Sequence, residues 1–223
     1  MRILRYSVFV SLIAFSSIWV VGQSNKPPVP KAVDNTSVSA TDFFGTAVNG
    51  IYTNRFLGFR LSAPEKYIFI EAVQADIESR AGIEMLKGGN NAANKKIDEA
   101  LAKQVTLFGW LELPQGTPGN SVIEALAVKQ GKGVTAPLAL AASTRMITTN
   151  PDVRIERSLG NVKISGRDFS GAILRLKLNG IELYQEYYIT MLRGYSVHFT
   201  LTYFNDEGRQ KMLKVLRSIE FSK

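Results

Sequence analysis

Few side chains in this sequence are equipped for chemistry, and His198 is the first of them to weigh. It is the one histidine among 223 residues, and there is no cysteine. Thiolate nucleophiles, disulfides, iron–sulfur clusters and cysteine-based zinc sites are therefore excluded, as is a site needing two imidazoles from one chain. A carboxylate site for calcium or magnesium stays open. A serine hydrolase would have to use His198 as its base. Ser170, in "RDFSG", falls in an expected strand, no G-x-S-x-G elbow is present, and nothing places Ser170 beside His198. "GKGVT" at 131–135 resembles the tail of a phosphate loop, but Gly133 follows Lys132 where Ser or Thr is required, and the upstream glycine is missing. Glu182 and Glu186 share a strand face, yet at about 3.3 Å per residue they stand about 13 Å apart, beyond the reach of a glycosidase pair.

The elements that carry these residues follow from periodicity. From Val153 onward the chain alternates: "VRIERSL", "NVKIS", "DFSGAILRLKL", "IELYQEYYITM" and "YSVHFTLTYF" read as strands. Asn179-Gly180 is a two-residue hairpin turn that pairs Leu178 with Ile181, Lys177 with Glu182, Leu176 with Leu183 and Arg175 with Tyr184. For the next hairpin a two-residue turn at Arg193-Gly194 would set His198 opposite Ile189 and mix polar with apolar side chains on both faces. A three-residue loop, Leu192-Arg193-Gly194, sets Met191 opposite Tyr195, Ile189 opposite Val197 and Tyr187 opposite Phe199. One face is then almost wholly apolar, so this register is expected. It puts His198 opposite Tyr188 on a polar and aromatic face with Glu186, Tyr184 and Arg175. These five residues, Arg175, Tyr184, Glu186, Tyr188 and His198, form the candidate binding site. Exposed tyrosines there would offer contact area at low entropy cost, and a buried Tyr188 would remove the site. No catalytic residue and no metal ligand is assigned.

Earlier in the chain, Pro64 is expected to open a helix over about 65–87, with Ile70, Val73, Ile77, Ala81 and Met85 on its apolar face. "GGNN" ends it. Ala93, Ile97, Ala100 and Leu101 mark a second helix. "QVTLFGWLELP" and "SVIEALAVKQ" read as strands, and "TAPLALAASTRMITTN" as a helix. A last helix follows Asn205, with Met212, Val215, Leu216 and Ile219 inward and Arg209, Lys211, Lys214 and Arg217 outward. Helices before and after a meander of hairpins imply an α+β domain, an antiparallel β-sheet packed by helices.

The chain divides into three parts. Arg2 and Arg5 precede an uncharged stretch, "YSVFVSLIAFSSIWVV", and small residues follow, so residues 1–22 read as an export signal cut after Gly22. An uncleaved anchor is the alternative. Residues 23–48, rich in Pro, Ser, Thr and Asn, read as a flexible linker. Residues 49–223 form the domain. The formal net charge is +8, and loss of the two leader arginines leaves +6, a modest excess that favours anionic surfaces.

"GIYTNRFLGFRLSAPEKY", "NVKISGRDF", "YQEYYITMLRGYSVHFTLTYF" and the closing "LKVLRSIEF" together resemble the PsbP-like family over roughly residues 50–223, the length of one domain. That family includes the extrinsic photosystem II protein, many exported bacterial proteins and a structurally related Ran-binding nuclear import factor. The resemblance implies an α-β-α sandwich around an antiparallel sheet, and binding rather than turnover. It implies no cofactor and supplies no site residue. The insertion over about 65–103 departs from the photosynthetic members. The expectation is an exported, non-enzymatic binding or scaffold module of the bacterial cell envelope. Its partner would be a protein or small ligand there, with weak contact to an anionic membrane surface and none to nucleic acid. The alternatives are an envelope hydrolase or carboxylate-metal enzyme, and a protein held to the membrane by its N-terminus.

Overall fold

Alternation in the second half of the chain becomes four long strands: β7 (Val153–Ile164), β8 (Arg167–Leu178), β9 (Ile181–Leu192) and β10 (Tyr195–Tyr203). In the computed structural model, which describes residues 43–84, 91, 94–95, 98–99, 103–178 and 180–222, they lie in a seven-stranded antiparallel sheet. Its other strands are β4 (Ile68–Glu71), β5 (Gln104–Leu111) and β6 (Val122–Lys129), and the order is β4-β5-β6-β10-β9-β8-β7. The two segments read separately as "VRIERSL" and "NVKIS" are one strand, β7, whose register against β8 shifts twice. As the outermost strand it is left with one open edge, and bulges of this kind blunt such edges.

Among the described residues three helices pack on this sheet: α1 (Ala72–Glu84), α2 (Ala136–Ile147) and α3 (Asp206–Arg217). Both α1 and α2 cover one face. Ile147 and Leu140 of α2 meet Leu174, Leu176, Leu183 and Tyr187, while Ala75 of α1 meets Leu111 and Val122. On the other face lie α3 and a small second sheet, ordered β1 (Thr46–Val48), β2 (Ile51–Asn54), β3 (Phe59–Ser62) and β11 (Glu220–Phe221). Between these layers Tyr52, Phe59, Phe108, Trp110 and Phe199 are buried with Met212, Val215 and Leu216 of α3. Each of these aromatics contributes about 2–3 kcal/mol by burial. The fold is α+β, an antiparallel sheet packed by helices. Its second outer layer is a helix together with a sheet, where helices alone were expected.

The first hairpin has the expected register, from Leu178 opposite Ile181 to Arg175 opposite Tyr184. The second does not. Tyr195 faces Leu192, Phe199 faces Tyr188 and His198 faces Ile189, the two-residue turn that the polarity argument rejects. Arg193 and Gly194 hold φ of 47° and 80°, the pair of positive values such a turn requires. The polarity argument fails because it presumes one wet face. Every residue of β10 is buried, since both faces of the sheet are covered.

Two boundaries also differ. The segment after Pro64 forms a turn and then β4, so Ile70 sits in a strand and α1 begins only at Ala72. Two positions of the expected apolar face are not inward, since Val73 and Ile77 are 57% and 56% exposed, whereas Ala75 is buried; Met85 lies outside the described residues. The folded part also reaches back into the stretch read as linker. Phe43 is buried, its carbonyl accepts from Asn54 Nδ2 at 2.8 Å, and β1 begins at Thr46. The leader, residues 23–42 and the positions Ala93, Ile97, Ala100 and Leu101 lie outside the described residues. Among the described residues no helix is long and apolar enough to cross a membrane.

Candidate binding cleft

His198 is on the face covered by α1 and α2, and the other four candidate residues are on the opposite face. Residues that pair across strands point the same way, and His198 pairs with Ile189 while Glu186 pairs with Leu201. His198 is therefore removed from the cluster with Arg175, Tyr184, Glu186 and Tyr188. Its ring is buried, and Nε2 lies 2.9 Å from the Ser196 hydroxyl, which in turn accepts from Gln130 Nε2 at 2.7 Å. The imidazole of His198 is held by this one hydrogen bond, Nδ1 having no partner among the described residues. Burial lowers its pKa to about 3. Ser196 and His198 thus have the separation of a nucleophile and its base, but both are sealed from substrate and His198 has lost its basicity. Ser170 lies in the same cross-strand row, two strands away through Ile189, about 10 Å at the usual strand spacing.

On the opposite face Glu186 is the centre of a closed polar network. Its side chain is fully buried, and Tyr188 and Tyr203 donate to its two oxygens at 2.8 and 3.1 Å. Arg209, in the first turns of α3, donates its Nε–H to the same carboxylate. Arg209 is therefore turned toward the sheet and not outward. Desolvation, then the charge of Glu186, pushes both tyrosines well above the usual phenol range. Burial is the largest influence on Arg209 and works against its charge, but the bond to Glu186 together with the charge of Glu186 and the two tyrosines outweighs it and raises the pKa. A buried carboxylate is tolerated because all these donors point at it. Tyr188 is only 5% exposed, so the five-residue tyrosine face expected from the sequence is not a binding site; Tyr188 supports the surface from beneath and offers none of its own.

The other two candidates sit nearer solvent. Arg175 forms an ion pair with Glu182, and Tyr184 donates to Glu182 at 3.1 Å. The bond from Arg175 lowers the Glu182 pKa. The Tyr184 ring stacks on that of Tyr203 at 5.8 Å with an interplanar angle of 12°. This stack forms one wall of an open cleft of about 380 Å³, with Glu156 and Arg157 of β7 opposite and Arg209 and Asp206 of α3 at the side. Ile173 is also in the lining, and it faces Glu186 across β8 and β9.

The residues that sequence reasoning missed are Tyr203, Arg209, Glu156 and Arg157. With the two-residue turn, Tyr203 falls opposite Tyr184, so the correct register would have found the stack. Arg209 is set by the start of α3, where the Asn205 side chain accepts from Gly208 N at 2.9 Å and fixes the first turn. The carboxylates of the fold do not converge. Among the described residues no group of three His, Asp or Glu side chains is placed to hold a metal ion.

No family model matches the sequence, and no curated protein matches it. Solved structures to which the fold is similar include PsbP of the cyanobacterium Synechocystis sp. PCC 6803, at 12% identity and a TM-score of 0.48, covering 79% of this chain and 95% of that one. LpqN of Mycobacterium tuberculosis, described as involved in cell envelope biogenesis, has 12% identity and a TM-score of 0.40, covering 74% and 83%. A Bacteroides thetaiotaomicron structure has 15% identity and a TM-score of 0.39 over 74% of this chain, which spans 45% of that protein.

Proposed function

We propose that this chain is a non-enzymatic binding module, exported to the bacterial envelope, and that the cleft between β7, the Tyr184–Tyr203 stack and α3 receives a protein partner. The observation that carries this reading is the construction of the cleft wall. Glu186 holds Arg209 and the buried Tyr203 from below, and Tyr203 backs the half-buried Tyr184 ring, so that ring and the guanidinium are ordered before any partner arrives. Tyrosine and arginine anchors held in advance are what strong contacts use, because little freedom remains to be lost. The lining carries both signs of charge, Arg157 and Arg209 with Glu156 and Asp206, which suits a polypeptide with mixed charge better than a simple anion. Export rests on the uncharged stretch at residues 6–21 behind Arg2 and Arg5.

The test is capture from an envelope extract with the wild-type chain and with Tyr184→Ala, Arg157→Ala and Lys214→Ala. Arg157 is exposed and Tyr184 packs only at the margin of the core, and circular dichroism of each variant checks that the fold is kept. A protein retained at high salt should be lost at least tenfold from the first two and kept by the third. Equal retention by all would remove the cleft as the contact site.

A further inference from the structure

We propose that the end of the fold at which residue 43 enters, carrying Arg55, Lys129, Lys132 and Arg193, is a docking face for an anionic membrane surface. The four cations come from three separate connections that the sheet brings to one end. Arg193 Nη1 donates to the carbonyl of Arg55 at 3.5 Å. Gln130 N donates to the carbonyl of Gly194 at 3.0 Å, which sets Lys129 and the Lys132 loop beside the Arg193 turn. Lys129 Nζ stands 4.6 Å above the Tyr195 ring. All four are exposed, and among the described residues none of them is in an ion pair. Elsewhere some surface cations are paired, Arg60 with Glu220, Arg175 with Glu182, and Lys211 with Glu112 and Glu207, and others such as Lys177, Lys214 and Arg217 are spread over separate elements. What sets this end apart is that three connections bring four exposed, unpaired cations together, where they can meet a negative plane.

The chain outside the fold leads to the same end. Phe43 packs on Phe56 and Tyr195, with ring centroids 5.0 and 5.8 Å apart, and Tyr195 is the residue under Lys129. Residues 22–42 separate this point from the uncharged stretch, a reach of at most about 70 Å when fully extended. The segment that carries the export signal therefore joins the fold at the same end as the four cations. Nucleic acid would also suit four cations, but nothing in the sequence leads the chain to it.

The experiment is flotation of the full-length chain with vesicles of phosphatidylcholine alone and with a third phosphatidylglycerol. The wild type should prefer the anionic vesicles, and salt should weaken the preference. Each cation at such a surface contributes about fivefold, so changing all four to Gln should lower the preference several hundredfold. Changing Arg154, Lys177, Lys214 and Arg217 to Gln removes the same charge elsewhere and should lower it far less. The pairs Arg55→Gln/Arg193→Gln and Lys129→Gln/Lys132→Gln should each lower it about 25-fold, which keeps the test decisive if the fourfold variant does not fold. Equal binding to both vesicles, or an equal loss in the two fourfold variants, overturns the proposal.

Discussion

Moving this protein from neutral to mildly acidic solution should weaken it through His198. In the unfolded chain the imidazole has an ordinary pKa of about 6.5, whereas in the fold burial lowers it to about 3. Above pH 6.5 the ring is neutral in both states and makes no pH-dependent contribution. Below that, the unfolded chain takes up a proton that the native state refuses, so stability falls as pH falls, by about 1.4 kcal/mol per unit, until the native ring itself titrates near 3. Between pH 7 and pH 5 the loss from this one group is about 2 kcal/mol. Other groups titrate too, so the measurement is a difference. Urea unfolding of the wild type and of His198→Gln would be recorded at both pH values. The wild type should lose about 2 kcal/mol more than the variant. The native ring, followed by its NMR shifts, should stay neutral at pH 5. Equal losses in the two proteins, or a native ring that titrates near 6.5, would refute the burial argument.

The Glu186 network should respond unequally to losing its two charged members. Arg209→Met strands a buried carboxylate with only two tyrosine donors and should cost about 3 kcal/mol, whereas Glu186→Gln keeps hydrogen-bonding capacity and leaves an arginine 23% exposed, able to reach water, at about 1 kcal/mol. Matching costs in urea unfolding would show that the carboxylate is not isolated as described. Gly208 poses a packing test. Alanine normally improves a helix, but a Cβ here would fall 2.2 Å from Ser121 Oγ. Gly208→Ala should therefore destabilise by about 1–3 kcal/mol, and adding Ser121→Gly should recover most of that. A Gly208→Ala melting temperature at or above wild type would contradict the packing.

The strands were legible where turn chemistry and alternation agreed. Gly180 with Asn179 before it fixed the first hairpin to the residue, and Asn205 marked the start of α3. The second hairpin was misread because alternation discriminates between registers only when one face is wet. Here His198, Thr200 and Thr202 are as buried as Val197, Phe199 and Leu201, so both registers place buried side chains on both faces. Turn geometry would have been the better guide, since an X-Gly pair suits two positive φ values. Helix α1 failed for a related reason: Ile68, Phe69 and Ile70 fit a helical spacing as well as a strand, and short apolar runs do not distinguish the two. The candidate site was half legible. Arg175, Tyr184, Glu186 and Tyr188 do share a face, but their partners Tyr203 and Arg209 come from β10 and α3, whose placement is a property of packing.

The two proposed surfaces are independent, yet the strands relate them. Tyr195 lies at the basic end and Tyr203 at the cleft, both on β10, about 26 Å apart at the rise of an extended strand. If the basic end rests on a membrane, the cleft opens well beyond a Debye length of it, which is about 8–10 Å at physiological salt. A partner in the cleft is then read by Tyr184 and the two arginines without the membrane's charge adding to its affinity. The consequence can be measured. Partner capture should depend on Tyr184 and Arg157 equally with and without anionic vesicles, and vesicle binding should be indifferent to Tyr184→Ala. A Tyr184→Ala chain that also lost its preference for anionic vesicles would mean that the two ends are coupled through β10, and that the surfaces are not separate devices.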